Sequence, residues 1–258
     1  MKKSLLIISF ILLLFGCTNK NTIDDKTIVV GASPSPHKEI LEQTRNYIES
    51  KGYELKIVEY DDYILPNKGV ETGELDANYF QHEPYLVNYN EKNNANLISI
   101  LKVHYEPLGI YSGKKSTLDD VYDIAIPNDE TNRARALLLL HKNNLITLDK
   151  EDENVTSNNI IDYKGHNIIE VEAASIPAQK TDLLVCNGNY ALSAKITDRL
   201  IVKEDENSLA SKYKNIIAIK EENKDKEAIK ILIEALKQEN IKTFIETNYK
   251  NTIVYSLE

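Results

Sequence analysis

Two short apolar runs with a helical segment between them constrain the fold of this chain more than any other feature. The runs are TIVVGAS at 27–33 and ELKIVEY at 54–60, and the segment between them places Ile40, Leu41 and Ile48 on one helix face. A strand, a helix and a strand within about 35 residues form a βαβ unit, whose two strands are parallel. Ligand-binding loops of such sheets lie at the carboxyl ends of the strands. The pattern therefore predicts an α/β fold with a ligand site at those ends.

The same alternation of strands and helices continues along the rest of the chain. Strand-like runs recur within 96–112, interrupted at Glu106-Pro107, and at 122–129, 167–173, 181–187 and 215–220, with helices predicted at 131–142 and 224–237. A chain of this length is long enough for one large or two modest domains. We therefore expect two α/β lobes joined by two crossover segments, with lobe 1 formed by 27–108 plus 213–258 and lobe 2 by 109–212.

The N-terminal residues MKKSLLIISFILLLFGC have the layout of an export signal. Two lysines precede the apolar run LLIISFILLLF, which is shorter than the roughly 20 residues that a permanent membrane-spanning helix needs. The run ends in a sequence that resembles a bacterial lipobox, where signal cleavage leaves a lipidated cysteine. We therefore expect a signal peptide at 1–16, a lipid on Cys17 and a flexible tether at 17–26, which anchors the protein on the extracytoplasmic side of the cell membrane. The alternative is an ordinary signal peptide with a chance cysteine.

Charge and cysteine content narrow the class of partner. The full chain has 31 basic and 40 acidic side chains and a net charge of −9, which argues against nucleic acid as a partner and favours solubility. The one cysteine besides Cys17 is Cys186, so no intrachain disulfide is expected in the processed chain. We expect a monomer with no cofactor.

A group of aromatic and imidazole side chains is the first candidate for a ligand surface. The segment ELDANYFQHEPYL (74–86) is too polar for a core strand and too aromatic for an ordinary loop. Such rings bury an apolar side chain, and a sulfur–aromatic contact contributes about 0.3–1.5 kcal/mol. The more ordinary interpretations are a histidine that caps local backbone and tyrosines that pack in the core. The group consists of Tyr63, Phe80, His82, Tyr85 and His104.

A second candidate lies where two predicted strands end. Asn132 and Arg135 follow the run IAIP at the start of a predicted helix, and a helix N-terminus favours an anion. Arg135 could hold a carboxylate with two hydrogen bonds, unless it lies on a solvated helix face. Asn187 directly follows the run LLVC, where its amide could bind an ammonium or a carboxylate, unless it only forms a turn.

Enzyme and metal sites are weakly supported by the sequence. Cys186 lies in an apolar strand, where a thiol is usually inert, and neither a Gly-x-Ser-x-Gly nor a His-Glu-x-x-His motif occurs. The five histidines are too scattered for a recognisable metal-ligand spacing. His82 and His104, with Glu106, could still meet in space, so a metal-ion receptor stays open as an alternative.

Five motifs together resemble the NlpA-type lipoproteins, the methionine-binding receptors of an ABC importer. They are DDYILPN, ELDANYFQHEPYL, VHYEPLGIYS, IAIPNDETNRARALLLL and LLVCNGNYA, in that order behind a lipobox. The resemblance spans roughly 27 to 256 and implies a type II periplasmic-binding-protein fold, with two α/β lobes around a ligand cleft. In two places the chain departs from the family: Glu130 stands where a proline is frequent, and Arg133-Ala134 replace an apolar–glycine pair.

The resemblance also implies roles for the candidate residues. Arg135 and Asn132 would hold the amino-acid carboxylate, and Asn187 would lie at the polar end of the ligand. The methionine side chain would lie against Tyr63, Phe80, His82 and Tyr85, with His104 beside them. Glu106 matches a position that differs between members, so a role in binding the ammonium is a hypothesis.

The expected function is capture rather than catalysis. A lipid-anchored receptor would bind L-methionine in an interlobe cleft and deliver it to a membrane permease, whose partner ATPase subunit hydrolyses ATP. Binding would bridge the lobes and stabilise a closed form. The alternatives are a receptor for another amino acid, for a methionine-containing dipeptide or for a metal ion, and a hydrolase.

Overall fold

The computed structural model describes residues 26–205, 210–250 and 252–258. The strands in these ranges are β1 (Thr27–Ala32), β2 (Glu54–Glu59), β3 (Ala77–His82), β4 (Leu97–Tyr105), β5 (Gly109–Ser112), β6 (Asp123–Pro127), β7 (Thr147–Leu148), β8 (Ile160–Asp162), β9 (Asn167–Val171), β10 (Leu183–Cys186), β11 (Leu200–Lys203), β12 (Lys214–Lys220) and β13 (Val254–Tyr255). The α-helices are α1 (Glu39–Glu42), α2 (Arg45–Ser50), α3 (Leu65–Thr72), α4 (Glu83–Asn93), α5 (Glu130–Lys142), α6 (Gly188–Ser193), α7 (Glu227–Leu236) and α8 (Glu239–Asn248). The predicted signal peptide, Cys17 and all of the predicted tether except Lys26 lie outside the described residues.

The first sheet contains six strands in the order β13-β4-β12-β3-β1-β2. Strand β1 pairs in parallel with β2 and with β3, which confirms the βαβ unit expected from the two apolar runs. Strand β12, from the C-terminal part of the chain, pairs antiparallel with β3 and β4. The N-terminal and C-terminal parts of the described chain therefore share one sheet.

Strand β3 is buried along its whole length near the middle of this sheet. The expectation that ELDANYFQHEPYL is too polar for a core strand was wrong for the six residues of β3. The amides of Asn78 and Gln81 both donate to Asn67 Oδ1, at 2.8 and 2.6 Å, and Asn67 Nδ2 donates to Gln81 Oε1 at 2.9 Å. Buried amides with partners cost little free energy, so this network makes a polar sequence compatible with a core strand.

Helix α7 shows how the first sheet is covered. Ile229, Leu232 and Leu236 recur at helical spacing and are buried in the apolar core that packs on strands β1, β3, β4 and β12. Burial of each such side chain contributes about 1.5–3 kcal/mol. No helix in the described ranges has the length and apolar character that a membrane crossing requires.

The second sheet has five strands in the order β11-β5-β10-β6-β9. Strand β6 is parallel to β9 and β10, whereas β5 is antiparallel to β10 and β11. Helix α5 begins three residues after β6 and packs Ala134, Leu137 and Leu140 into the core of this sheet. The packing fixes the direction of α5, so that the polar residues of its first two turns lie at the carboxyl end of β6.

Within the described residues the chain passes between the six-stranded and the five-stranded sheet twice, between β4 and β5 and again between β11 and β12, while β7 and β8 form a separate two-stranded sheet. Glu204 joins the two crossings, because its Oε2 accepts hydrogen bonds from the backbone N–H of Leu108 at 2.8 Å and from the hydroxyl of Tyr105 at 3.0 Å. On this topology we propose that lobe 1 comprises 27–108 plus 213–258 and lobe 2 comprises 109–212.

Candidate ligand-binding site

A cavity lies between the two sheets, at the carboxyl ends of β3, β6 and β10. It encloses about 330 Å³ of atom-free space, part of it continuous with solvent. Both lobes and the first crossover contribute to its wall, as expected for an α/β protein with a ligand site at the strand ends. The lining residues are Tyr63, Phe80, Gln81, His82, Tyr85, Glu106, Asn132, Arg135, Asn187, Gly188, Asn189 and Asn215.

Three aromatic rings of lobe 1 form an apolar wall on one side. The ring centroids of Tyr63 and Phe80 are 5.6 Å apart, and Tyr85 lies 5.8 and 5.9 Å from them. Tyr190 of lobe 2 adds a fourth ring 4.8 Å from Tyr63. Edge-to-face and tilted rings at these distances hold one another in place, so the wall is preorganised for an apolar or thioether side chain.

His82 both caps helix α4 and reaches across the cleft. Its Nδ1 accepts a hydrogen bond from the backbone N–H of Tyr85 at 3.2 Å, and its Nε2 lies 3.2 Å from Asn132 Oδ1. The neutral ring with Nδ1 as acceptor carries its proton on Nε2 and donates it to the amide oxygen. Burial, and then the charge of Arg135, lower the pKa of His82 to about 3. His82 therefore caps helix α4 with Nδ1 and faces the cavity network with Nε2, so the two interpretations of this residue are compatible.

Asn132 is the centre of a hydrogen-bond network rather than a free donor. Its Oδ1 accepts from His82, from Arg135 Nη1 at 3.2 Å and from Asn187 Nδ2 at 2.9 Å. Its Nδ2 donates to both carboxylate oxygens of Asp129, at 3.0 and 3.1 Å. With these partners the amide has no donor left for a ligand carboxylate, so the geometry favours a positioning role for Asn132.

The N-terminus of α5 is occupied by an acidic cap. Asp129 Oδ1 accepts from the backbone N–H of Asn132 at 3.0 Å, in the manner of an N-cap carboxylate. A ligand anion at this helix end would meet the charge of Asp129. The guanidinium of Arg135, further along α5, is therefore a more suitable partner for a ligand carboxylate than the helix N-terminus.

Arg135 lies in the second turn of α5 and points into the cavity, with 3% of its surface exposed. Its Nε and Nη2 donate to the two carboxylate oxygens of Glu204 at 3.0 and 2.6 Å, and Nη2 also donates to the carbonyl of Glu106 at 3.2 Å. Burial by itself lowers the pKa of Arg135, but the Glu204 carboxylate outweighs it and raises that pKa. With its Asn132 contact, the guanidinium uses four of its five N–H groups within the described residues, which leaves one on Nη1.

The neighbouring arginine faces a different direction. Arg133 Nη1 donates to Glu170 Oε2 at 3.2 Å, and Arg133 does not line the cavity. Of the two arginines in helix α5, Arg135 is therefore the one that lines the cavity.

Two buried amide atoms of lobe 2 have no hydrogen-bond partner among the described residues. They are Asn187 Oδ1, an acceptor, and Asn189 Nδ2, a donor. The other ends of both amides are engaged, by Asn132 and by the hydroxyl of Tyr63, which donates to Asn189 Oδ1 at 2.5 Å. A buried polar group without a partner costs about 1–3 kcal/mol. One free acceptor and one free donor therefore border the cavity that both asparagines line.

His104 lies behind the cavity and not in its wall. Its Nδ1 contacts the hydroxyl of Tyr79, and its Nε2 lies 2.7 Å from Glu106 Oε1. His37 lies next to it, with Nε2 at 2.9 Å from Asn215 Oδ1 and 3.4 Å from Glu106 Oε1. His37, His104 and Glu106 form a group of possible metal ligands within 4.8 Å of one another. The alternative metal site was expected to use His82, which instead faces Asn132.

The seven other expected residues, from Tyr63 to Asn187, border one cavity. The remaining lining positions are Gln81, Glu106, Gly188, Asn189 and Asn215, of which the sequence suggested a ligand role only for Glu106. Asn189 carries the same signal as Asn187, since both flank a glycine after a strand. Asn215 is the second residue of strand β12, next to the second crossover, and its place there was the only sequence signal for a role in the cavity.

Comparison with known proteins places this arrangement in a family. The model of the NlpA lipoprotein family matches residues 28–256 of the chain. The chain belongs to the NlpA lipoprotein family. A relative in Bacillus subtilis, the methionine-binding lipoprotein MetQ, is 34% identical over 97% of this chain and 95% of its own length.

Solved structures of similar proteins share the whole described fold. A lipoprotein from Ruminococcus gnavus is 44% identical with a TM-score of 0.86, covering 90% of this chain and 99% of that chain. A nutrient-binding protein from Burkholderia cenocepacia, solved bound to methionine, is 33% identical with a TM-score of 0.82, covering 89% of this chain and 99% of that one. These likenesses confirm the predicted fold class, two α/β lobes of the type II periplasmic-binding-protein kind. NlpA lipoproteins are substrate-binding receptors of the membrane surface.

Proposed function

We propose that this protein is the lipid-anchored receptor of an ABC importer and that it captures L-methionine in the cavity between its lobes. One observation carries the proposal. An unpartnered acceptor on Asn187, an unpartnered donor on Asn189 and the remaining N–H of Arg135 border the same cavity as three aromatic rings. A free amino acid with an apolar side chain supplies an ammonium, a carboxylate and a surface for the rings.

We assign the cavity residues three roles: binding the polar end of the ligand, contacting its thioether, and positioning other side chains. Arg135 Nη1 and Asn189 Nδ2 donate to the ligand carboxylate, and Asn187 Oδ1 accepts from the ammonium. The thioether lies against the rings of Tyr63, Phe80 and Tyr85, where sulfur–aromatic contacts are favourable. His82 and Asn132 hold Arg135 and Asn187 in position, and His104 acts only through Glu106.

The binding energy available is sufficient for a scavenging receptor. Methionine has about nine non-hydrogen atoms, and a ceiling near 1.5 kcal/mol for each allows roughly 13 kcal/mol. A submicromolar dissociation constant needs only about 8–9 kcal/mol. About two thirds of the maximum binding free energy is therefore enough for submicromolar affinity.

Ligand binding would couple to closure of the lobes. The contacts that join the lobes around the cavity include those of Tyr63 with Asn189, of His82 with Asn132, and of Lys92 with Glu130, whose Nζ and Oε1 are 2.8 Å apart. A ligand that touches both walls adds to these contacts only when the lobes are closed. The permease can thus distinguish the loaded receptor by its shape.

A lipid on Cys17 would hold the receptor at the extracytoplasmic face of the cell membrane, and no catalysis is assigned to it. Replacement Cys17→Ser should move the protein from the membrane fraction to the soluble fraction, because the acyl chains supply the anchor. Cys186→Ser, a change of the buried cysteine in β10, is the matched control. Equal membrane retention of both variants would contradict the anchor.

Mass spectrometry of the small molecule released by denaturing natively purified protein tests the ligand. The proposal predicts methionine, in about one equivalent per chain. A different free amino acid or a methionine-containing dipeptide would keep the receptor role and replace the ligand. A stoichiometric metal ion, abolished by chelator, would overturn the amino-acid assignment in favour of a metal receptor.

A further inference from the structure

Glu106 is the charged group of the cavity that the proposed function leaves without a task. It lies in the first crossover, with 6% of its surface exposed, and lines the cavity. The other two charges nearby, on Arg135 and Glu204, already compensate each other in a bidentate pair. No lysine or arginine among the described residues forms a salt bridge with the Glu106 carboxylate, whose ion-pair partners are His37 and His104.

Those two histidines do not neutralise the carboxylate. Both rings are fully buried, and burial disfavours the charged form of an imidazole. The Glu106 carboxylate is almost fully buried as well, and an ionised carboxylate in a dry site is costly. A ligand cation beside Glu106 would remove that cost.

The surroundings hold the Glu106 carboxylate in one position. The Tyr79 hydroxyl donates to His104 Nδ1, so the neutral ring donates from Nε2 to Glu106 Oε1 at 2.7 Å. The backbone N–H of Asn189 donates to the same carboxylate. Its Oε2 lies 3.0 Å from the point where a side chain at Gly188 would place its Cβ, so only a glycine leaves this oxygen its full room. A carboxylate has about four acceptor sites, and these donors leave at least one for the cavity.

The tautomers of the two histidines argue against a metal ion in this cluster. Asn215 Oδ1 is an acceptor, so His37 donates to it from Nε2, the ring nitrogen that also lies 3.4 Å from Glu106 Oε1. His104 Nε2 likewise donates to Glu106. The two ring nitrogens that face Glu106 therefore carry protons, whereas a metal needs their lone pairs.

We propose that Glu106 is the residue that accepts the ligand's α-ammonium, so that the receptor selects amino acids whose α-amine is free and protonated. The inference rests on the proposed function, since it assigns the amine end of the same bound amino acid. Asn187 Oδ1 provides the second acceptor for this ammonium. N-acylated methionine, which has neither the charge nor the spare N–H groups, leaves Glu106 buried and unpaired. A dipeptide places its amine one residue further from its carboxylate and does not match both ends of the site.

The test measures coupling between Glu106 and the ammonium. The full chain and its Glu106→Gln variant are each titrated with L-methionine and with desamino-methionine, the same molecule with hydrogen in place of the α-ammonium. Glu234→Gln, an exposed change on α7, is the matched control, and circular dichroism melts verify that each variant is folded. Loss of one partner of a buried charge pair costs about 2 kcal/mol or more, so wild type should prefer methionine by at least about 30-fold.

The pattern across the four titrations decides the inference. Glu106→Gln should weaken methionine binding by at least about 30-fold and leave desamino-methionine within a few-fold, so that the preference collapses. Equal weakening of both ligands would show a merely structural role and overturn the inference while leaving the receptor intact. Unchanged methionine affinity would also overturn it. Failure of wild type to bind methionine would instead overturn the proposed function.

Discussion

At the scale of single residues, the cavity is built from hydrogen bonds whose direction is fixed by neutral histidines. His37, His82 and His104 each use one ring nitrogen to position a cavity side chain: Asn215, Asn132 and Glu106 respectively. A protonated ring could no longer accept from Tyr85 or Tyr79. The site is therefore expected to be sensitive to acid.

The buried histidines predict that the protein loses stability as the pH falls below about 6.5. The pKa of histidine in the unfolded chain is about 6.5 and the folded values lie near 3 to 4, so the unfolded state binds more protons between them. Each histidine removes up to about 1.4 kcal/mol per pH unit in this window. Glu106 has the opposite sign: its raised pKa gives a contribution that is present at low pH and is lost as the pH rises through the folded value. The net slope is thus smaller than the sum over the histidines.

Urea unfolding between pH 4.5 and 7 measures this slope. His82→Gln should reduce it by about one proton, or about 1.4 kcal/mol per pH unit, whereas His141→Gln, a change on α5 outside the cavity, is the control. A slope that is the same in wild type and in His82→Gln would contradict the assignment of a neutral buried ring.

Gly188 is predicted to be a packing requirement of the site. An added Cβ would lie 3.0 Å from Glu106 Oε2 and 3.1 Å from Glu106 Cβ, so the carboxylate must shift by a few tenths of an ångström. Overpacking of this kind costs about 1–3 kcal/mol, and we expect Gly188→Ala to weaken methionine binding by roughly tenfold or more. Its melting temperature should fall by less than this overpacking alone would cause, since alanine favours the helix α6 and offsets part of the cost. Titration beside Ser193→Ala, an exposed change on the same helix, is the measurement, and equal affinities would contradict the close packing.

The sequence predicted which residues lie near the cavity better than it predicted which side chains they form hydrogen bonds with. Arg135 and Asn187 stand next to strand ends, so the sequence pattern alone places them near a site. Asn215 and Glu106 acquire their roles from residues far along the chain: His37 and Asn215, for example, are 178 positions apart. No local pattern reveals such a pair, and for the same reason the occupied amide of Asn132 could not be foreseen.

At the scale of elements, helix α4 of lobe 1 and helix α5 of lobe 2 contact each other. Glu130, the first residue of α5, pairs with Lys92 of α4 at 2.8 Å and accepts a hydrogen bond from Asn88. The resemblance marks Glu130 as a departure from a frequent proline, which could make neither contact. The hydrogen bond from Lys92 lowers the pKa of Glu130. We therefore expect this pair to favour the closed form proposed above.

Removal of the pair should weaken ligand binding modestly. Both side chains are about half exposed, and exposed pairs contribute about 0.2–1 kcal/mol, so Glu130→Ala should raise the dissociation constant for methionine by up to about fivefold. The effect should shrink in high salt. Lys68→Ala, which breaks an exposed pair with Glu71 inside lobe 1, is the control. An effect of Glu130→Ala that matches this control would show that the pair does not bias closure.

The long apolar elements were predictable and the short or polar ones were not. Strands β1, β2, β6, β10 and β12 coincide with apolar runs, and α5 begins within one residue of its expected start. Strand β3 was missed because its amides find partners in space. Strands β7 and β13, of two residues each, are too short to show any periodicity.

At the scale of the whole molecule, the candidate site is a cavity that both large sheets help to line. Lobe 1 supplies the rings, lobe 2 supplies Arg135, Asn187 and Asn189, and the first crossover supplies Glu106. Two lobes, with chain crossings near 106–112 and between about 199 and 214, could be expected from the alternation of strands and helices and from the length of the chain. Their angle and the resulting cavity depend on tertiary packing, for which the sequence carries no simple signal.

The most direct test is a calorimetric titration of L-methionine into the full chain, freed of bound ligand by unfolding and refolding. The account predicts one methionine per chain with a dissociation constant of about 10⁻⁶ M or tighter. Arg135→Ala should weaken binding at least about 30-fold, because it removes the cation of a dry carboxylate site. Arg133→Ala, whose arginine faces Glu170, should bind as wild type does. Absence of binding by the wild-type chain, or an Arg135→Ala variant that binds as tightly as wild type, would contradict the account.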